Sequence, residues 1–140
     1  MKGTYQIIVQ NKKIKYEFEI RSNITVIRGD SATGKTALID MIREYYENGS
    51  SSGVELRCQK TCVVLEGRNW EVQLPATSDS LVFIDEDNAF VSTREFAAAI
   101  QKTDNYYIIV TRESLELLPY SVTEIYIAFS RKDIPFSRNI

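Results

Sequence analysis

Residues 29–36 of the 140-residue chain read GDSATGKT, which matches the G-x-x-x-x-G-K-[ST] pattern at every fixed position. Gly29 and Gly34 allow a tight backbone turn that brings successive N–H groups onto phosphate oxygens. Lys35 supplies a positive charge for the β- and γ-phosphates, and the hydroxyl of Thr36 is placed to ligate Mg²⁺. The pattern therefore predicts a phosphate-binding loop.

The sequence on either side of this loop supports the prediction. Residues 23–28 are short, β-branched and apolar, as a buried strand is. Residues 36–47 carry apolar side chains at the spacing of one helical face, and the polar, glycine-containing segment 48–53 ends the helix. A chance match in a turn is the alternative. A strand, a glycine loop and a helix in this order, however, place the unpaired N–H groups of a helix N-terminus at the anion site.

A second polar group follows residues 81–84, whose sequence LVFI is typical of a strand buried on both faces. Asp85 can hold Mg²⁺ through its water shell, because this ion binds few protein carboxylates and keeps several waters. Glu86 can orient or deprotonate the water that attacks a γ-phosphate. The alternative is a strand that ends in acidic loop residues, and we interpret Asp87 as such a loop residue.

A third polar group, Thr111 and Arg112, follows another apolar run at residues 105–110. Arg112 can stabilise transition-state charge, within the chain or across an interface, or it can pair with Glu113 or Glu116 in a loop. Open α/β sheets bind ligands at the carboxyl ends of their strands. We therefore expect the three polar groups to converge on one edge of a sheet.

Strand and helix patterns along the chain predict an α/β fold, with a mostly parallel sheet flanked by helices and an N-terminal antiparallel β-hairpin. The hairpin joins residues 4–10 to residues 14–20, where apolar and charged side chains alternate. Residues 61–75 are open to two interpretations. We favour a second hairpin around residues 67–69, and the alternative is a short helix that holds Trp70.

The remaining elements are predicted from local signals. Ser92 and Glu95 form a capping box that opens a helix. The other predicted segments are a strand at 54–58, a short helix at 113–118 and a last strand at 123–129. Residues 1–130 are predicted to form a single domain, and residues 131–140 a polar C-terminal tail.

Composition and charge limit the classes of protein to which the chain can belong. The formal charge is −2 and no apolar run approaches the ~20 residues of a membrane span, so neither nucleic-acid nor membrane binding is indicated. The expected location is the cytoplasm. Cys58 and Cys62 are spaced C-x₃-C, and no histidine is available to complete a zinc site. Because a disulfide is disfavoured in the cytosol, we interpret both cysteines as small, partly buried residues near strands.

The GDSATGKT loop, the sequence LVFIDE at residues 81–86 and Thr111 after the next strand together resemble P-loop NTPases of the additional-strand, catalytic-glutamate division. In this resemblance GDSATGKT is the Walker A motif and LVFIDE is the Walker B motif. The division includes ABC-type, RecA-like and AAA-type ATPases, and the N-terminal hairpin is most similar to the ABC-type core. The resemblance covers residues 4–129 and implies a P-loop NTPase fold with ATP and Mg²⁺ as ligands.

The resemblance also implies a role for each site residue. It assigns catalysis to Lys35, Glu86 and Arg112, and the binding of Mg²⁺ to Thr36 and Asp85. The resemblance assigns nucleotide binding to the loop and to a polar sensor of the γ-phosphate that follows residues 105–110. These residues are Gly29, Asp30, Ser31, Ala32, Thr33, Gly34, Lys35, Thr36 and Thr111.

The chain departs from these families at several points. It has no LSGGQ-type signature, no helical insertion to carry one and no N/T-K-x-D string of a GTPase, and Ala32 stands where a third glycine is common. We therefore expect a Mg²⁺-dependent ATP-binding protein whose hydrolysis is slow or needs a protein partner or a second copy to complete the site. The alternatives are a non-catalytic nucleotide-binding or nucleotide-independent interaction module, and a small-molecule kinase.

Overall fold

The computed structural model describes residues 3–28, 35–85, 89–110, 122–126 and 129–131. Within these ranges the strands are β1 (Tyr5–Gln10), β2 (Ile14–Ile20), β3 (Ile24–Arg28), β4 (Glu55–Arg57), β5 (Thr61–Val64), β6 (Ser80–Ile84), β7 (Tyr106–Val110), β8 (Val122–Tyr126) and β9 (Phe129–Arg131). The helices are α1 (Lys35–Asn48), α2 (Trp70–Gln73) and α3 (Arg94–Ile100), with single 3-10 turns at Gly49–Ser52 and Ala89–Ser92.

Five strands form a parallel sheet in the order β5-β6-β7-β3-β8. Every residue of β6 and β7 is buried, which confirms the prediction made from their continuous apolar runs. The segment from Ile24 to Ile27 of β3 is buried as well. The strand order matters for the candidate site, because β7 lies between β3, which leads into the predicted phosphate-binding loop, and β6, which leads to Asp85.

The predicted N-terminal hairpin is confirmed, and it belongs to a second, antiparallel sheet. The strands β1 and β2 pair directly, and the side chain of Asn11 accepts hydrogen bonds from the backbone N–H groups of Lys13 and Ile14 in the turn between them. The sheet continues on both sides, with β4 beside β1 and β9 beside β2. The hairpin is therefore the centre of a four-stranded sheet in the order β4-β1-β2-β9.

Helix α1 packs against both sheets and joins them through one hydrophobic core. Its buried residues Leu38, Met41 and Ile42 lie on the apolar face predicted from their spacing, and Ile39 is buried beside them. Tyr46, which was predicted on the same face, is exposed instead. Side chains of both sheets complete this core: Ile7, Val9, Tyr16 and Ile20 from the antiparallel sheet, and Ile27, Cys62, Val64, Leu81, Phe83, Tyr106, Ile108 and Val110 from the parallel sheet.

The opposite face of the parallel sheet is covered by α3 and by the segments that flank it. The second core contains the alternate residues of the same strands, since neighbouring side chains of a strand point to opposite faces. Its buried members are Ile24, Val26, Leu65, Leu74, Val82, Ile84, Phe90, Val91, Phe96, Ile100, Tyr107 and Ile109. The parallel sheet therefore has a packed layer on each face, so a ligand can reach it only at its edges.

The prediction of a hairpin over residues 61–75 is wrong, and the alternative of a short helix holding Trp70 is correct. The strand β5 pairs in parallel with β6, and the N–H of Leu65 extends this pairing by donating to the carbonyl of Phe83 at 3.0 Å. Helix α2 then begins at Trp70, whose ring stacks on that of Phe90 with centroids 5.1 Å apart. Pairing of β5 with β6 and stacking of Trp70 on Phe90 outweighed the local turn signal.

Two further boundaries differ from the predicted ones. Thr93, not Ser92, is the N-cap of α3, because the Thr93 hydroxyl accepts from the N–H of Phe96 at 3.2 Å. The single strand predicted at residues 123–129 is divided between β8 in the parallel sheet and β9 in the antiparallel sheet. The predicted helix at 113–118 and most of the predicted tail lie outside the described residues.

The helices were also examined for membrane spans. Among the residues that the structure describes, none of the helices combines the length and the apolar character that a membrane crossing requires.

Candidate functional site

Helix α1 directly follows the predicted phosphate-binding loop. The strand β3 ends at Arg28 and α1 begins at Lys35, so the strand and the helix predicted on either side of the loop are both present. Lys35 and Thr36 occupy the first turn of α1, although their side chains are not described. The first turn carries no acidic residue, so no carboxylate there neutralises the positive end of the helix dipole.

Several predicted site residues lie outside the described part of the chain. For phosphate binding and sensing these are Gly29, Asp30, Ser31, Ala32, Thr33, Gly34 and Thr111, and for catalysis they are Glu86 and Arg112. Support for their predicted roles therefore comes from the positions at which the neighbouring described strands and helices begin and end.

Those points lie on one edge of the parallel sheet. Ile27 near the end of β3 is in register with Val110 at the end of β7, and Ile84 at the end of β6 is in register with Ile109. Adjacent strands are about 4.8 Å apart, so β3 and β6 are separated by about 10 Å across β7. The segments that begin at residues 29, 85 and 111 therefore leave the same edge at three neighbouring strands.

Asp85 is the one predicted metal ligand whose side chain the structure describes. It directly follows β6, and its side chain is 18 % exposed. Its Oδ2 lies 3.9 Å from Nη2 of Arg43 in α1, which shows that the carboxylate faces the helix that follows the loop.

Arg43 holds three carboxylates from three parts of the chain. Its Nη1 donates to Oδ1 of Asp40 at 2.9 Å, its Nε donates to Oε1 of Glu66 at 2.9 Å, and Asp85 is the longest of the three contacts. Side chains on a helix lean towards its N-terminus, so the guanidinium lies over the preceding turn, at Asp40. Asp40 is about 7.5 Å along the helix axis from Lys35. Asp85 is thus brought to the first half of α1.

The charges around Arg43 affect its ionisation. Burial lowers the pKa of this guanidinium, but the hydrogen bond to Glu66 and the charges of Glu66, Asp40 and Asp85 outweigh burial and raise the pKa above its usual value. Arg43 therefore stays positively charged and ties α1 to the ends of β5 and β6.

The sequence-based reasoning did not select Arg43. The spacing of Asp40 and Arg43 is a helical i, i+3 pair and could have been noticed. The contact with Glu66, which follows β5, depends on strand pairing that local patterns did not predict.

The chain was compared with protein-family models, with curated proteins and with solved structures. None of the three comparisons gives a match.

The described side chains include carboxylates and thiols of the kinds that bind metal ions. Among them, no group of three or more histidine, cysteine, aspartate or glutamate side chains is arranged to hold a metal ion. A Mg²⁺ site in a nucleotide-binding protein needs less than this, since the ion takes one or two protein ligands and completes its shell with water and phosphate oxygens. Asp85 at the sheet edge fits such a requirement.

Proposed function

We propose that this chain is a Mg²⁺-dependent ATP-binding domain, with ATP hydrolysis that is slow or depends on a partner. The contact between Asp85 and Arg43 carries the proposal, because it joins the end of the Walker B-like strand to the helix that follows the GDSATGKT loop. The position of β7 between β3 and β6 supports the resemblance to the NTPases named for an additional strand.

The proposed roles follow from the positions of the elements. The loop N–H groups and Lys35 would bind the phosphates at the N-terminus of α1, where the helix dipole favours negative charge. Thr36 and Asp85 would hold Mg²⁺, which when bound offsets charge on the phosphate oxygens. Glu86, the residue after Asp85, would orient the attacking water and accept its proton.

Two more residues would complete the proposed site from the end of β7. Thr111 would contact the γ-phosphate and Arg112 would stabilise the charge of the transition state. These residues follow a strand adjacent to both β3 and β6, which is the position from which they can reach a phosphate held between those strands. The cytoplasm, which contains ATP and Mg²⁺, is the location that fits this function.

Nucleotide binding would be tested by titration calorimetry with ATP and Mg²⁺. We expect wild-type protein to bind, and Lys35→Ala to lose about ten- to a hundredfold in affinity, because it removes a charge-assisted contact of about 1.5–3 kcal/mol. Lys12→Ala is the matched control, since Lys12 is exposed in the turn between β1 and β2. Absence of binding by the wild-type chain, or equal affinity of the two variants, would refute the proposal.

Hydrolysis would be tested separately from binding. Glu86→Gln is expected to retain ATP affinity and to lose most of the turnover, and Asp85→Asn to weaken the dependence of binding on Mg²⁺. Gel filtration with and without ATP and Mg²⁺ would show whether a second copy completes the site. Equal turnover of Glu86→Gln and wild-type protein would rule out the role proposed for Glu86.

A second candidate function is nucleotide binding without turnover, in a domain that acts through a protein partner. The position of Arg43 favours it, because a permanent positive charge 3.9 Å from Asp85 competes with a metal ion for that carboxylate. Binding of ATP that is insensitive to Mg²⁺ and gives no product would support this candidate. Product analysis with nucleosides and small metabolites as phosphate acceptors would detect the remaining alternative, a kinase.

A further inference from the structure

Residues 58–60 form the short link between β4 in the antiparallel sheet and β5 in the parallel sheet. Cys58 lies at the start of this link and Cys62 lies in β5. The thiol of Cys62 donates a hydrogen bond to the carbonyl oxygen of Lys60, with Sγ and O 3.8 Å apart, and both cysteines line one cavity. A C-x₃-C spacing, which the sequence left without a role, thus brings two cysteines to the wall of one cavity.

The pair is asymmetric in its exposure. Cys62 is 7 % exposed and belongs to the core between α1 and the sheets, whereas Cys58 is half-buried. An open cavity of about 390 Å³ borders both sulfurs, with Tyr45 and Tyr46 from the last turns of α1 on its wall. A second cavity of about 380 Å³, lined by Thr4, Gln6, Ile8, Arg57, Cys58 and Gln59, borders Cys58 as well. A small solute can therefore reach Cys58 and is hindered from reaching Cys62.

The pair is also asymmetric in its acidity. Interaction with the Cys62 thiol lowers the pKa of Cys58 to about 7, against the effect of burial, and the backbone N–H groups of Lys60 and Gln59 lower it further. Interaction with the Cys58 thiol and burial both raise the pKa of Cys62. Because Cys58 is the more exposed thiol and the thiolate is the reactive form of cysteine, its exposure and its lowered pKa both favour Cys58 as the nucleophile of the pair.

We propose that Cys58 and Cys62 form an oxidisable dithiol, which hydroperoxides convert into an intramolecular disulfide. This site lies at the C-terminal end of α1, whereas the phosphate-binding loop precedes its N-terminal end. The proposal is independent of ATP binding, and neither test bears on the other.

The reaction has two steps. The Cys58 thiolate attacks one oxygen of the hydroperoxide, so that an S–O bond forms, the O–O bond breaks, and the departing oxygen leaves as water or an alcohol after taking up a proton. Cys58 is then a sulfenic acid, oxidised by two electrons. The sulfur of Cys62 attacks that of Cys58, the S–S bond forms, the S–O bond breaks, and the hydroxide leaves as water with the proton from Cys62.

The test treats the reduced wild-type chain with hydrogen peroxide at neutral pH, blocks the remaining thiols with an alkylating reagent and maps peptides by mass spectrometry. We expect a monomeric product lighter by two hydrogen atoms, with Cys58 linked to Cys62 and neither residue alkylated. Disulfides formed only between chains, or sulfinic acid at Cys58 beside an alkylated Cys62, would overturn the proposal.

Two serine variants define the role of each cysteine. In Cys62→Ser we expect a sulfenic acid at Cys58 that a 1,3-dicarbonyl reagent traps. In Cys58→Ser we expect oxidation of the remaining thiol to be at least about tenfold slower than in the wild-type chain, since Cys62 is buried and protonated. Equal rates for Cys58→Ser and wild type would refute the assignment of the nucleophile. The wild-type peptide map decides the main point even if a variant fails to fold.

Discussion

Replacing Arg43 by methionine removes the guanidinium that links α1 to Glu66 and Asp85 and keeps most of the apolar stem. The Arg43 side chain is 28 % exposed, and its partners Glu66 and Asp40 are 51 % and 56 % exposed. A pair this accessible to water is worth about 0.5–1 kcal/mol for Glu66, and the helical i, i+3 pair adds about 0.3 kcal/mol. The long Asp85 contact contributes little, so we expect Arg43→Met to lower the free energy of unfolding by about 0.8–1.3 kcal/mol.

The measurement is urea denaturation of a double-mutant cycle that combines Arg43→Met with Glu66→Gln. We expect a coupling energy of about 0.5–1 kcal/mol, because the pair joins two elements that are distant in sequence. The matched control is Arg57 with Glu55, an Nε to Oε2 pair at 2.6 Å whose side chains are 69 % and 46 % exposed. That pair lies within one strand, and we expect its coupling energy to be near zero.

Two results would refute this reasoning. One is an equal coupling energy for the two pairs, which would show that burial and sequence separation do not decide the strength of the contact. The other is a coupling energy for Arg43 and Glu66 that does not fall when salt is raised to about 1 M, where screening acts over about 3 Å.

Three further predictions concern stability. Thr93→Ala should lower the free energy of unfolding in urea by about 1 kcal/mol, because it removes the N-cap of α3, whereas Ser92→Ala should change it by less than about 0.5 kcal/mol. A larger loss for Ser92→Ala than for Thr93→Ala would show instead that Ser92 is the N-cap, as the capping box predicted. Asn105→Ala should cost about 2–3 kcal/mol in the same assay, since it leaves the buried N–H of Ser80 without the acceptor now 3.0 Å away, and a cost below 1 kcal/mol would contradict this. Burial raises the pKa of Tyr16 from 10.0 to about 12, so its contribution to stability is full below pH 10 and is lost as pH rises towards 12. Urea midpoints across that range should fall less steeply in Tyr16→Phe, and parallel curves would disprove the effect.

The sequence predicted best those elements whose burial is evident from the pattern of their own residues. The continuous apolar runs of β6 and β7 are buried on both faces, and such a run is sufficient to predict a strand in that environment. The alternation in β2 placed Tyr16 and Ile20 inward in the same way. These elements also determine where Asp85 and residue 111 leave the sheet, so the position of the candidate site followed from local patterns.

The elements that were wrongly predicted depend on distant partners. Residues 61–64 read as half of a hairpin, but their pairing partner is β6, which lies after α2 in the chain. Trp70 begins α2, and its ring stacks on Phe90, which lies after β6 in the chain. The cap of α3 differs by one position, because Ser92 and Glu95 matched the capping box while Thr93 makes the hydrogen bond. Distant contacts thus decided the structure of residues 61–64 and of Trp70, whereas the cap was decided by a local hydrogen bond between Thr93 and Phe96.

The strand β9 has a consequence for how the chain reaches its folded state. Residues 129–131 pair with residues 14–16, and β8 pairs with β3, so the last described strands complete the sheets begun by the first ones. Strands this far apart in sequence can pair only after a long loop has closed, and closing that loop costs conformational entropy before any contact forms. Folding is therefore expected to be slow relative to proteins built from local contacts. During synthesis, β2 and β3 would expose unpaired edges until residues 122–131 had emerged from the ribosome, and in that interval the nascent chain would be prone to pair with other chains.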